Sequence, residues 1–328
     1  MRSVFACSRT VLFGLGVFCC AASQGATVLV SSDQQNANHP VVRTVEYFGQ
    51  LVAQRSKGEL SVVVKPDGAL GGEQDALRHV VEGSQAFARV SLGSFAGKAP
   101  AADLASLPYL FRSSDHMWKV LKGPFGQRLD DELLRAGYVR IMYLDSGARD
   151  FYCKKALRSR DDFAGLRIRI LQSKVFEALI LNLGATSVSI PFNKVADAFR
   201  AGEIDCAEGG IVNYVGADHH KLAPYLMQDE HMLMPDVLVM SKKIWDKLPS
   251  AQQDILKQAA SESTEYMGKL WKDQEAAALV AAKKAGVTII AHAQISMTGI
   301  EAQAVKTYNA FIKDSNDLET VMKIVTTK

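Results

Sequence analysis

Residues 158–210 read RSRDDFAGLRIRILQSKVFEALILNLGATSVSIPFNKVADAFRAGEIDCAEGG. Leu166, Ile168 and Ile170 alternate with Arg167 and Arg169, a period of two that predicts a strand with one apolar and one basic face. From Ser173 to Leu183 the apolar residues recur at helical spacing, and Gly184 is a C-terminal stop. Ser187–Ile190 reads as a second strand, Asn193 as the N-cap of a short helix ended by Gly202, and Ile204–Glu208 as a third strand closed by Gly209 and Gly210. Strand, helix, strand, helix, strand predicts an α/β unit with a parallel sheet. Ligands of such sheets sit beyond the carboxyl ends of the strands. Here those ends carry Arg169, Pro191–Phe192 and Glu208–Gly209: a cation, an aromatic wall and bare backbone on one rim.

Outward from this unit, Thr27–Ser31 and Leu60–Lys65 read as strands around a helix at Val41–Ser56. Asp67–Glu73 is a turn into a helix, with Glu73 suited to that helix's positive end. Phe87–Leu92 reads as a strand that puts Arg89 and Ser91 on one face, and Leu104–Phe111 contains Pro108, Tyr109 and Phe111. Asp115–Ala136 is helical by pattern, Tyr138–Leu144 is a strand, and Arg149 follows it. His219 and His220 are adjacent; on a helix they would point about 100° apart, a poor chelating pair expected at the surface. Ala251–Ala285 reads as a long helix.

The N-terminus has Arg2 and Arg9 ahead of an apolar run, Val11–Ala22, too short to span a bilayer and typical of an export signal over residues 1–26. Two ends of that signal stay open: ordinary cleavage after small residues, or a loose lipobox in which Cys20 is lipidated and tethers the protein to the membrane. Roughly 300 residues remain, enough for two domains of ordinary size. Of five cysteines only Cys153 and Cys206 belong to the mature part; an exported protein permits a disulfide between them, while two buried thiols are the plainer expectation. The chain is 48% hydrophobic and 22% charged, with a formal net charge of +3, so nothing in it points to nucleic acid. No CxxC, HExxH, GxGxxG or GxxxxGK[ST] pattern occurs, and no cofactor or metal is expected.

Taken together, Asp162–Ile170, Leu183–Ala185 and Pro191–Gly210 resemble the signature region of TRAP-transporter substrate-binding proteins, the dicarboxylate-type periplasmic receptors. Asp67–Glu73, Leu104–Phe111, Asp145–Arg149, Asp218–Tyr225 and His231–Ser241 extend the resemblance over nearly the whole mature chain, which implies that His231–Ser241, with Asp236, is the strand that returns to the first domain. It implies a two-domain periplasmic binding protein fold with discontinuous domains, a ligand cleft between them and a long spine helix. Domain I would hold residues 27–146 and 235–274, domain II residues 147–234 and 275–328. It also implies a non-enzymatic receptor that captures an organic acid and hands it to TRAP permease subunits in the membrane, with a helical-repeat protein as a further partner in some systems.

The resemblance singles out Arg169 as the carboxylate fork, since a guanidinium matches a carboxylate in two parallel bonds. Arg149 is either a second carboxylate contact or one half of a crossover or inter-domain ion pair. Phe192 stands beside the ligand or in the core, Tyr109 on the pocket wall or in the core, and Asp236 in the cleft or in a loop. Arg89 and Ser91 face the cleft or solvate an edge. At Glu208–Gly210 the family pattern reads Glu-Asn-Pro, so Gly209 stands where a polar ligand contact is expected. Its loss removes a hydrogen bond and widens the cleft, which predicts a solute less polar or bulkier than a short dicarboxylate or sugar acid, such as a monocarboxylate with an apolar body. An enzyme on the same scaffold would need a nucleophile–base pair that the sequence does not display. A lipoprotein adaptor that uses the fold to hold a protein partner is the remaining alternative.

Overall fold

A computed structural model describes residues 25–328; residues 1–24, and with them the question of Cys20, lie outside it. In chain order the strands are β1 (Thr27–Ser32), β2 (Leu60–Lys65), β3 (Phe87–Ser91), β4 (Tyr138–Leu144), β5 (Ala148–Cys153), β6 (Arg167–Ile170), β7 (Thr186–Ser189), β8 (Cys206–Gly209), β9 (Tyr225–Leu233), β10 (Asp236–Ser241) and β11 (Thr288–Ile290). They form two sheets, ordered β2-β1-β3-β10-β4 and β11-β9-β5-β8-β6-β7.

The unit read from residues 158–210 is present in the second sheet, where β6 runs parallel to both β7 and β8. Its first helix, Lys174–Asn182, buries Val175, Phe176, Leu179 and Ile180, and Gly184 follows at φ +89°, where a residue with a Cβ would be strained. Asn193 does not cap the second helix. That helix runs Val195–Arg200, and a short 3-10 turn, Phe192–Lys194, takes the place of a cap.

Three other expectations change. The stretch 115–136 is two helices, Ser114–Leu121 and Pro124–Arg135, because Pro124 has no N–H to continue the first and is preorganised to start the second. The single strand expected at His231–Ser241 is divided at Met234–Pro235: β9 ends in the second sheet and β10 begins in the first. Together with Asp145–Gly147, between β4 and β5, this makes two short crossovers between the sheets; a third crossing, from β10 to β11, runs through the helix Ser250–Lys284. In the crossover between β4 and β5, Gly147 adopts φ +66°, and a Cβ on it would lie 2.9 Å from Glu275 Oε1 and 3.2 Å from the Trp271 ring.

The third change concerns the cysteines. Cys153 and Cys206 lie opposite each other on antiparallel β5 and β8 and are joined as a disulfide. The expectation of two thiols fails because sequence cannot show that residues 53 positions apart become strand neighbours.

Helix Ser250–Lys284, 35 residues long, is about 52 Å by its helical rise. It packs on Pro40–Arg55, which flanks the first sheet, and on Ile211–Gly216, which flanks the second. Among the described residues no helix is long and apolar enough to cross a membrane.

Candidate functional site

The rims of the two sheets enclose a cavity of about 60 Å³. From the second sheet and its loops come Arg149, Arg169, Gln172, Phe192, Glu208 and Gly209; from the first come Gln34, Glu73, Arg89, Ser91 and Asp236. Eight of the nine residues singled out in the sequence therefore meet at one place. Tyr109 is the exception and does not line the cavity. Its hydroxyl donates to Asp229 at 3.4 Å, and its N–H donates to the carbonyl of His231 at 2.9 Å.

The cavity brings three buried arginines together, and they differ in what holds them. Arg169, on β6, is only 3% exposed. Its one hydrogen bond among the described residues runs from Nε to the carbonyl of Ile190 at 2.8 Å, which leaves both Nη atoms for a ligand. Its guanidinium carbon lies 5.9 Å from the centre of the Phe192 ring. Burial pushes its pKa down, an effect only partly offset by Glu208.

Arg149 is the second residue of β5, and its Nε donates to Glu208 Oε2 at 2.6 Å. Arg149 is thus ion-paired within the second sheet, not across a crossover or between the two sheets, and it also lines the cavity. Burial works against the Glu208 carboxylate, but Arg149, His231 and Arg169 outweigh it and hold its pKa at about 2. Arg89, on β3, is clamped by Asp33 through two nitrogens and donates through Nη1 to Asp236 Oδ2 at 3.1 Å. Burial raises the pKa of Asp236 to about 6, against the pull of Arg89. Glu73 accepts from the N–H of Ser91 at 2.9 Å and from the hydroxyl of Ser94.

Glu73, Gln34 and Gln172 escaped sequence reading. Glu73 opens a helix, Glu73–Glu82, and had looked like a helix-end carboxylate only. The one sequence signal was its place directly after the Gly71–Gly72 turn, which in the structure abuts Pro191 across the cavity: a Cβ on Gly72 would sit 3.7 Å from it. His219, expected at the surface, is buried behind the site, within 2.9 Å of the Tyr152 hydroxyl and 5.2 Å from the Phe192 ring centre. Burial pushes its pKa down to about 3, so it sits there as a neutral ring.

Around Gly209 the lining is mixed, with carboxylates, amides and arginines beside apolar side chains. Gly209 adopts φ +158°, and a Cβ there would only touch Arg149 Nη2 and Tyr152 at 3.9 Å. Gln34, Glu73 and Asp236 bring amide and carboxylate groups to the same cavity from the first sheet. Phe192, Leu171, Ile190 and Pro191 are the apolar members. Among the described residues no group of three or more His, Cys, Asp or Glu side chains is placed to hold a metal ion.

Two α/β sheets joined by two crossovers and a shared helix, with buried arginines between them, describe a solute receptor. The profile of bacterial extracellular solute-binding protein family 7 matches residues 31–314. The chain belongs to that family. That family is one of extracellular solute-binding proteins, and the solved structures similar to this chain include TRAP periplasmic solute-binding proteins. One from Bradyrhizobium sp. BTAi1, in complex with α/β-D-galacturonate, superposes with a TM-score of 0.88 at 34% identity, covering 92% of this chain and all of that one. The 2,3-diketo-L-gulonate-binding periplasmic protein YiaO of Escherichia coli is 28% identical over 82% of this chain and 81% of its own length. The C4-dicarboxylate-binding periplasmic protein DctP of Rhodobacter capsulatus is 29% identical over 74% and 73% respectively.

Proposed function

We propose that this family 7 receptor captures a polyhydroxylated monocarboxylate of sugar-acid size and delivers it to a TRAP permease in the membrane. The observation that carries the reading is Arg169: a buried guanidinium whose two Nη atoms have no hydrogen-bond partner among the described residues. Leaving such a cation unpaired is costly, and a ligand carboxylate removes that cost through two charge-assisted bonds.

The rest of the cavity decides what the carboxylate is attached to. Opposite Arg169, Glu73 and Asp236 present carboxylates, and the Oε1 of Gln34 and Oγ of Ser91 have no partner among the described residues. This is a set of acceptors for hydroxyl groups. A second carboxylate on the solute would face Glu73 and Asp236 as a like charge, which disfavours a short dicarboxylate. The galacturonate and diketogulonate bound by the relatives have the favoured make-up, one acid group and several oxygens.

We further propose that residues 27–146 with 235–274 and residues 147–234 with 275–328 act as two bodies, hinged at the crossovers Asp145–Gly147 and Met234–Pro235. Asn36 donates across the cleft to the Gly216 carbonyl at 3.2 Å, and His39 Nε2 lies 2.7 Å from Asn213 Oδ1. These are contacts that opening would break. Export by the N-terminal signal, ending in cleavage or at a lipidated Cys20, is part of this reading.

Calorimetry with D-galacturonate, succinate and benzoate tests it. Galacturonate should bind at least tenfold more tightly than the other two, and tighter binding of succinate or benzoate would reject the polyhydroxy monocarboxylate.

A further inference from the structure

Behind Arg149 lies a buried polar cluster that does not touch the cavity. Strand β9 pairs with β5 out of register: Arg149 lies opposite Met232 and Phe151 opposite Met227, so residues 228–231 bulge against Asp150. Glu230 in this bulge adopts φ +47°, and its neighbours Asp229 and His231 are both turned inward, each 1% exposed. His231 Nδ1 lies 3.1 Å from Asp229 Oδ2, its Nε2 3.9 Å from Glu208 Oε2, and its ring stacks on Phe151 at 4.2 Å. Asp229 is held in turn by the N–H of Phe151 at 3.2 Å and the hydroxyl of Tyr109.

We infer that His231 is a positioning residue for ligand capture: gripped by Asp229, it holds the Glu208 carboxylate back from Arg169 and fixes the bond that aims Arg149. The inference rests on the carboxylate-binding reading above. The line from the bulge to the ligand alternates in sign: Asp229, His231, Glu208, Arg149, then the acid. Glu208 sits where two cavity arginines both attract it. Without a cation behind it, its carboxylate would be drawn toward Arg169 and compete with the solute for that fork. A third cation on the far side of Glu208 tips this balance. Burial opposes the charge on His231, but Asp229 and Glu208 outweigh burial and raise its pKa to about 9. The other ionisable groups around it are Asp150 on β5, whose carboxyl burial pushes well up, and Tyr109.

Calorimetric titration of the mature chain with D-galacturonate at several pH values tests the inference, using His231→Gln, His231→Lys and the double variant His231→Gln/Glu208→Gln. Loss of the cation should weaken binding about tenfold, a typical coupling between contacting groups. His231→Lys should keep more affinity than His231→Gln, and the double variant should recover part of the loss, because a neutral amide no longer competes for Arg169. Wild-type affinity should fall as pH rises toward 9, and that of His231→Gln should not. If His231→Gln lowers the melting temperature but binds as the wild type does at every pH, the residue is structural and the inference fails. If the wild type binds no galacturonate, the carboxylate reading fails first and takes this inference with it.

Discussion

Arg149 donates through Nε to Glu208 Oε2 at 2.6 Å, across neighbouring antiparallel strands of the second sheet. That pair satisfies one arginine of the cavity from within the protein, while Arg89 is satisfied by Asp33 and Asp236. Arg169 is left without a carboxylate partner among the described residues, and it is the cation that the proposal above assigns to the solute.

Arg169→Met should therefore separate binding from stability. Acid binding should fall at least about 100-fold, the worth of a buried charged hydrogen-bonded pair. The ligand-free melting temperature should stay level or rise, since a buried unpaired charge is replaced by an apolar chain of similar length. Arg169→Lys should bind weakly as well, because a point charge cannot make two parallel bonds. Calorimetry and thermal unfolding of the same preparations check both parts.

Glu208→Ala should destabilise the protein by about 3–5 kcal/mol, the usual cost of removing one partner from a buried pair. Arg149 would be left buried and uncompensated beside Arg169. Denaturant unfolding measures this directly.

Stability should have a plateau in pH bounded on both sides by this network. His231 titrates near 9 in the folded protein against an ordinary 6.5, so its contribution is complete below 6.5 and is lost as pH rises to 9. Glu208 titrates near 2 against an ordinary 4.5, so its contribution is complete above 4.5 and is lost as pH falls toward 2. Each is worth at most about 3 kcal/mol. Unfolding free energies from pH 3 to 10 should show the plateau, and His231→Gln should flatten its alkaline edge.

The disulfide should matter for stability more than its two residues suggest. It closes a loop of 53 residues, for which chain entropy sets an upper value of about 4 kcal/mol. It ties β5, which carries Arg149, to β8, which carries Glu208. Cys153→Ser/Cys206→Ser should unfold at lower denaturant than the wild type, and the wild type unfolded under reducing conditions should approach the variant.

Gly147→Ala tests the crossover. The φ of +66° disfavours any Cβ, and Glu275 and Trp271 already occupy the space. A loss of about 1–3 kcal/mol is expected from strain of this kind. Unfolding that matches the wild type would show that the spine helix yields there.

Much of this molecule follows from local pattern. The two-residue alternation at 166–170 and the helical spacing at 173–183 are enforced by backbone geometry alone, and they yield the parallel unit and the rim position of Arg169. What sequence left open was decided by distant pairings. Arg89 is a clamped internal cation because Asp33 and Asp236, from two other segments, converge on it. Glu73 enters the cavity because its helix faces the opposite sheet. Cys153 and Cys206 pair because β5 and β8 are adjacent, and His219 is buried because Tyr152 and Phe192 close around it. Tyr109 left the cavity for the β9 bulge, an irregularity with no periodic signal. Periodicity reports which face of an element is buried; what that face is buried against depends on which segments, far apart in sequence, the tertiary fold brings into contact. In this protein that second question settles which cavity arginine is left without a carboxylate partner among the described residues.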